Sequence, residues 1–116
     1  MYAMTWGTVE LESEVEAWLR SLNSTEFGHA AFYIDLLADR GPLLDEPYSR
    51  QLGGKLRELR FYLGRDRRRV SYYLATGQRA VLLTVFRKQQ GREQAEIERA
   101  RRAMNMCVLE GHTAEG

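Results

Sequence analysis

Between Lys55 and Phe86 the chain alternates and turns in a way that leaves few folds open. Lys55 to Leu63 carries Arg57, Leu59, Phe61 and Leu63 on one side and Leu56, Glu58, Arg60 and Tyr62 on the other, the two-residue period of a strand. Gly64 and Asp66 fill a turn, and Arg69 to Leu74 forms the next strand. Thr76-Gly77 marks a second hairpin turn. Ala80 to Phe86 is then apolar almost without break, as a central strand covered on both faces requires. Three strands with two short connections predict an antiparallel meander, which the rest of the chain must cover.

Met4 to Leu11 reads as a first strand. Ser13 and Glu16 have the spacing of a capping box, and Val15, Trp18, Leu19 and Leu22 follow at helical spacing. Asn23 or Ser24 ends this helix and caps a second one, in which Phe27, Ala30, Ala31, Ile34, Leu37 and Ala38 share a face. Gly41-Pro42 stops it. Gly41 to Gly54 holds both prolines and three of the ten glycines, so it reads as a long ordered loop. Gly91 to Met106 reads as a last helix, with Ile97, Ala100, Met104 and Cys107 on one side. Beyond Val108 the chain reads as frayed. The expected order is β-α-α-β-β-β-α, an antiparallel-rich α+β fold with helices packed on one face of the sheet. At 116 residues the chain has room for one core. We expect a single domain over residues 1–109 and a flexible tail over 110–116.

The net charge of +1 conceals a strong division. Met1 to Gly54 has three basic and nine acidic residues, a net −6, whereas Lys55 to Arg102 has fourteen basic and five acidic ones, a net +9. Such a distribution points to a positive surface for a polyanion. The longest apolar run is far shorter than the ~20 residues of a membrane span. The first residues, MYAMTWGTVELESE, lack the basic start and apolar stretch of a secretory signal. One cysteine, Cys107, forms neither an internal disulfide nor a cysteine metal cluster. These features predict a cytoplasmic protein without membrane contact.

Several familiar motifs are excluded. Gly53-Gly54-Lys55 lacks the earlier glycine and the following Ser or Thr of a phosphate loop. His29 lies on the second helix and His112 in the tail, and the amino-terminal carboxylates have no metal-cage spacing. No metal or cofactor is expected. What remains is a basic group: Arg60 on the first meander strand, Arg67, Arg68 and Arg69 opening the second, and Arg87-Lys88 closing the third. Antiparallel pairing can bring Arg69 and Lys88 near Arg60 on one sheet surface. From pattern alone two readings stand open: a phosphate site built on bidentate charge-assisted bonds, or arginines that keep strand edges soluble.

The segment LRELRFYLGRDRRRVSYYLATGQRAVLLTVFRKQQ, the following AEIERARRA and the element order resemble the RelE/HigB-like toxins of type II toxin–antitoxin systems. The stretch GPLLDEPYSRQLGGKLRELR is similar to phage-derived HigB-like members, and the likeness runs from about Val9 to Met104. It implies a metal-independent, ribosome-dependent messenger-RNA endonuclease, neutralised by a cognate helix-turn-helix, HigA-like antitoxin. Carried over by position, Arg69 contacts the scissile phosphate, Lys88 follows the last strand, and Arg60 ends the LRELR motif. Glu46, before Pro47, stands where some relatives place a glutamate base; Glu58 is the alternative, or else an ion-pair partner of Arg60. Arg57, Arg67, Arg68 and Arg87 are expected to bind RNA. No lysine occupies the Glu58 position and no histidine or tyrosine comes directly after the last strand, so the base and acid stay open. The competing functions are a non-catalytic RNA- or protein-binding protein and a structural phage-derived protein that keeps the fold.

Overall fold

The meander forms as its alternation requires. In the computed structural model, which describes residues 5–111, β3 (Leu56–Leu63), β4 (Asp66–Ala75) and β5 (Arg79–Arg87) pair antiparallel in sequence. A short β1 (Thr8–Leu11) adds parallel to β5. The order across the sheet is β1-β5-β4-β3-β2, where β2 is Ser49–Gly53, antiparallel to β3. That strand corrects the expected loop over Gly41–Gly54, which instead contains a 3-10 turn at Gly41–Leu43 and then β2. Ser-Arg-Gln-Leu-Gly is too short and polar to show a period, and it pairs because β3 offers an open edge. Strand β1 is also shorter than expected; Met4 lies outside the described residues.

Helices α1 (Ser13–Ser21) and α2 (Ser24–Arg40) cover one face. There Val15, Leu19, Ala30 and Leu37 bury against Leu59, Val70, Tyr72 and Leu82. Helix α3 (Glu93–Leu109) covers part of the other, seating Ala100, Cys107, Ile97 and Met104 on Leu56, Tyr73, Val81 and Leu83. The expectation of helices on one face is therefore corrected. β5 explains why: its apolar residues point both ways, and each buried aliphatic side chain contributes ~1.5–3 kcal/mol, so both faces need cover. Phe27 lies outside the stripe assigned to it, 47% exposed.

Asn23 caps the second helix, as one of the two residues expected there, whereas the capping box expected at Ser13 and Glu16 does not form. Glu12, not Ser13, sits at the N-cap of α1 and makes no side-chain cap bond. The reciprocal box belongs to α2, where Asn23 Oδ1 accepts from Glu26 N–H at 2.8 Å and Glu26 Oε1 accepts from Asn23 N–H at 3.3 Å. At the other end Gly41 has φ +53°, and an added Cβ would lie 2.2 Å from the Trp6 ring. Only glycine serves there.

Candidate active site

Alternation along β3 turns Glu58 and Arg60 to the face opposite Leu59 and Phe61, which are core residues of the α1/α2 side. The register then sets Arg69 opposite Arg60, Ser71 opposite Glu58, and Arg50 of β2 on Glu58's other flank. One carboxylate oxygen, Glu58 Oε2, consequently lies 3.5 Å from Arg69 Nε and 3.6 Å from Arg60 Nε. Glu58 and Arg69 are each 5% exposed, while the Arg60 side chain keeps about a quarter of its surface. Arg60 Nε is buried without a hydrogen-bond acceptor. The cluster is paired in charge but incompletely hydrogen-bonded, an arrangement that favours an incoming anion.

Burial pushes the Glu58 carboxyl above the ordinary glutamate range, against the attraction of Arg69, Arg60 and Arg50; the Glu93 charge adds to the rise. Burial likewise lowers Arg69, aided by repulsion from Arg60 and Arg67 and opposed by Glu58 and Glu93. A carboxylate raised toward neutrality is a better proton acceptor than an exposed glutamate, because its affinity for the proton is greater.

Two recesses open onto this pair, and a third adjoins them. Arg60, Arg67 and Arg69 line one of about 310 Å³ together with Tyr33, Tyr48 and Tyr62. Glu58 lines a second of about 190 Å³ with Arg50, Phe86 and Glu93. The third, about 710 Å³, holds Arg67, Arg87, Lys88 and Glu93. Arg67 joins the first to the third, and Glu93 the second to the third. Lys88 donates its backbone N–H to the Arg67 carbonyl at 2.9 Å, and its Nζ lies 3.5 Å from Glu93 Oε1. Among the described residues no group of three or more His, Cys, Asp and Glu side chains could hold a metal ion.

The structure thus brings together Arg60, Arg69 and Glu58, with Arg67 and Lys88 along the same rim. It separates others from them. Arg57 points to the α1/α2 side, where Nε donates to Tyr72 OH at 3.3 Å and Ser49 Oγ at 3.4 Å, and Nη2 to the buried Leu44 carbonyl at 3.2 Å. Arg68 also faces that side, 6.0 Å over the Trp18 ring and 3.8 Å from Asp66. Arg87 lies opposite Arg68 in the register and pairs with Asp66 at 3.5 Å, although it reaches the third recess. Glu46 is exposed on the loop before β2, in a further hollow with Asp45 and Arg57 that includes neither Arg60 nor Arg69 but shares Arg50 and Gln51 with the recess of Glu58. The sequence reading missed Arg50, Glu93, Tyr48 and Tyr62. Tyr62 was visible in principle, since its alternation partner is Arg60; Arg50 needed the unseen strand β2.

Residues 17–105 match the model of a family described as phage-derived protein Gp49-like. Two solved structures share the fold. A double arginine-to-alanine variant of the E. coli toxin RelE in the free state is 12% identical, with 89% of this chain and 98% of that one covered at a TM-score of 0.60. A chain of the archaeal RelE–RelB complex from Pyrococcus horikoshii is 20% identical, with 76% of this chain and 100% of that one covered at a TM-score of 0.51. No curated protein matches the sequence.

Proposed function

The chain belongs to the phage-derived Gp49-like family, and from that premise we propose that it is the toxin of a type II toxin–antitoxin system and cleaves messenger RNA on the ribosome. The observation that carries this reading is the buried Glu58 carboxylate held between Arg60 and Arg69. Cleavage without a metal needs a base for the ribose 2′-hydroxyl, cations for the charged phosphorus centre, and an acid for the leaving oxygen. Glu58 takes the 2′-proton. The freed 2′-oxygen bonds to phosphorus, the bond to the 5′-oxygen breaks, and a 2′,3′-cyclic phosphate and a 5′-hydroxyl result. Arg69 and Arg60 hold the non-bridging oxygens. Arginine suits this role better than proton transfer, since it stays charged at neutral pH. Lys88, on the rim beside Arg67, supplies the proton to the 5′-oxygen. Glu46 has no part in it, because its hollow does not include the arginine pair.

A nuclease of this kind acts in the cytoplasm and must be silenced there. The Pyrococcus structure is that of a RelE–RelB complex; here we assign the silencing to a cognate helix-turn-helix antitoxin that shields the +9 segment. Induced expression should arrest growth and leave messages cut within coding regions, detected by mapping 5′ ends. Normal growth with the protein soluble and intact in the cells would refute the reading. Specific RNA binding without any cut ends would favour the second reading, in which the Glu58 ion pair is structural and the fold only binds.

A further inference from the structure

The recess that holds Arg60, Arg67 and Arg69 has a second wall that the cleavage step does not use. β2 begins only at Ser49 while β3 runs on to Leu63, and the last bond on this flank is Arg60 N–H to the Tyr48 carbonyl, 2.8 Å. Beyond it the edge of β3 opens into a notch. Its floor is Tyr33 of α2, whose ring lies flat on Phe61, with centroids 5.1 Å apart and planes 9° from parallel. Phe32 holds the Tyr33 ring edge-on at 5.1 Å, and Tyr48 leans over it at 6.2 Å. Tyr62 is on the Arg60 face, opposite Arg67 in the register. Tyr48 and Tyr62 leave 38% and 57% of their surface in solvent.

Three features decide what such a notch fits. About 310 Å³ is at the lower limit of the ~300–1,000 Å³ typical of small-ligand sites, which suits one planar ring system rather than a helix or a packed side-chain cluster. The wall is aromatic, and every nucleobase has a face that stacks on an aromatic ring. The same recess is lined by three guanidinium groups, Arg60, Arg67 and Arg69, with Arg67 the cross-strand neighbour of Tyr62, and these fix a phosphate next to that ring. An apolar protein segment would gain little from those charges.

We propose that this notch receives one unpaired base of the RNA, stacked on Tyr48 or Tyr62, from the nucleotide adjoining the phosphate held by Arg60 and Arg69. The proposal rests on the reading of the arginine pair as the phosphate site. Tyr48 and Tyr62 are positioning residues: they select the register of the strand and do no chemistry.

The test uses the purified full chain and a single-stranded RNA heptamer carrying 2-aminopurine, whose fluorescence is quenched on stacking. Wild type should quench it. At least one of Tyr62→Ala and Tyr48→Ala should relieve the quenching and weaken binding about tenfold, while Tyr62→Phe, which keeps the ring, should behave as wild type. The slope of log K against log salt should stay unchanged in all three, because the phosphate contacts remain. A heptamer with an abasic site at that position should bind wild type and the alanine variants alike. Absent quenching by wild type, or equal discrimination between base and abasic RNA in both alanine variants, overturns the proposal. So do alanine variants that bind RNA normally but lose the antitoxin, for then the notch is a protein pocket. Message cleavage in cells is scored separately. If wild type stacks the base but cuts nothing, the nuclease reading fails and the notch stands; if it cuts and the variants keep its discrimination and positional preference, the notch alone fails.

Discussion

Arg69→Ala separates a phosphate site from an ornamental run of arginines, because its neighbour in sequence provides the control. Arg69 and Arg68 are adjacent, yet the strand period sends them to opposite faces: Arg69 lies 3.5 Å from Glu58, Arg68 is over Trp18. Losing one preorganised donor to a developing phosphate charge costs about 2.7–4 kcal/mol, or about 10²–10³ in rate. The effect of Arg69→Ala on folding is smaller. Glu58 keeps Arg60 and Arg50 nearby, and the repulsion that Arg60 and Arg67 exert on Arg69 disappears, so a loss of about 1–3 kcal/mol is expected. Arg68→Ala should give the reverse pattern, with a stability loss of about 0.5–2 kcal/mol and cleavage as in wild type. Arg20→Ala is the blank, since Arg20 is 78% exposed and pairs only with Glu16 one turn away; exposed pairs of this kind contribute about 0–1 kcal/mol. The assay counts mapped 5′ ends in induced cells at matched protein level, beside urea unfolding of the purified proteins. A cooperatively folded Arg69→Ala protein that cuts within about threefold of wild type, against the 10²-fold expected, would remove Arg69 from the reaction.

Glu58→Gln should abolish cleavage by about 10²-fold or more without lowering stability at neutral pH. Burial raises the folded pKa of Glu58 above its ordinary 4.5, so its favourable contribution is complete below about pH 4.5 and fades as pH rises through the folded value; the glutamine variant should lack that fading, and equal pH dependence of unfolding in the two proteins would contradict it. Arg57→Ala should weaken the fold by about 1–3 kcal/mol, because the buried Leu44 carbonyl loses its guanidinium donor, while RNA affinity stays level; a selective loss of RNA binding would restore Arg57 to the interface. Association with the antitoxin should slow as salt rises, and neutralising Arg67 and Arg69 should flatten that dependence; a rate indifferent to both places the antitoxin elsewhere.

The meander was legible because its alternation is strict. Leu59 and Phe61 went inward on the α1/α2 side and Glu58 and Arg60 to the other, and antiparallel pairing then made the Arg60–Arg69 meeting a matter of counting. The same period puts Arg57 and Arg68, both expected to bind RNA, on the α1/α2 side and away from that meeting. Strand β2 was not legible, since its pairing comes from β3 and not from its own five residues. With β2 went Arg50 and the Tyr48 wall. The side on which α3 packs was equally hidden: its apolar stripe is plain, but a two-sided strand such as β5 gives it no preferred face.

A single extra residue in β5 completes the site. The register pairs Ser71 with Thr84 but Tyr72 with Leu82, leaving Leu83 unmatched. Were β5 regular, Leu83 would stand opposite Ser71, and Val85 in place of Phe86 would stand opposite Arg69. The bulge instead sends Val85 toward the α1/α2 core and sets Phe86 beside Arg69, a local reversal of faces that one inserted residue produces. Phe86 also walls the recess onto which Glu58 opens. An aromatic ring there excludes water from the carboxylate more fully than a valine does, and it is burial that holds Glu58 above its ordinary range. Because Ala80 to Phe86 is apolar nearly throughout, no alternation marks the bulge. The chemistry of the site therefore depends on a backbone irregularity concealed inside the most hydrophobic strand of the chain.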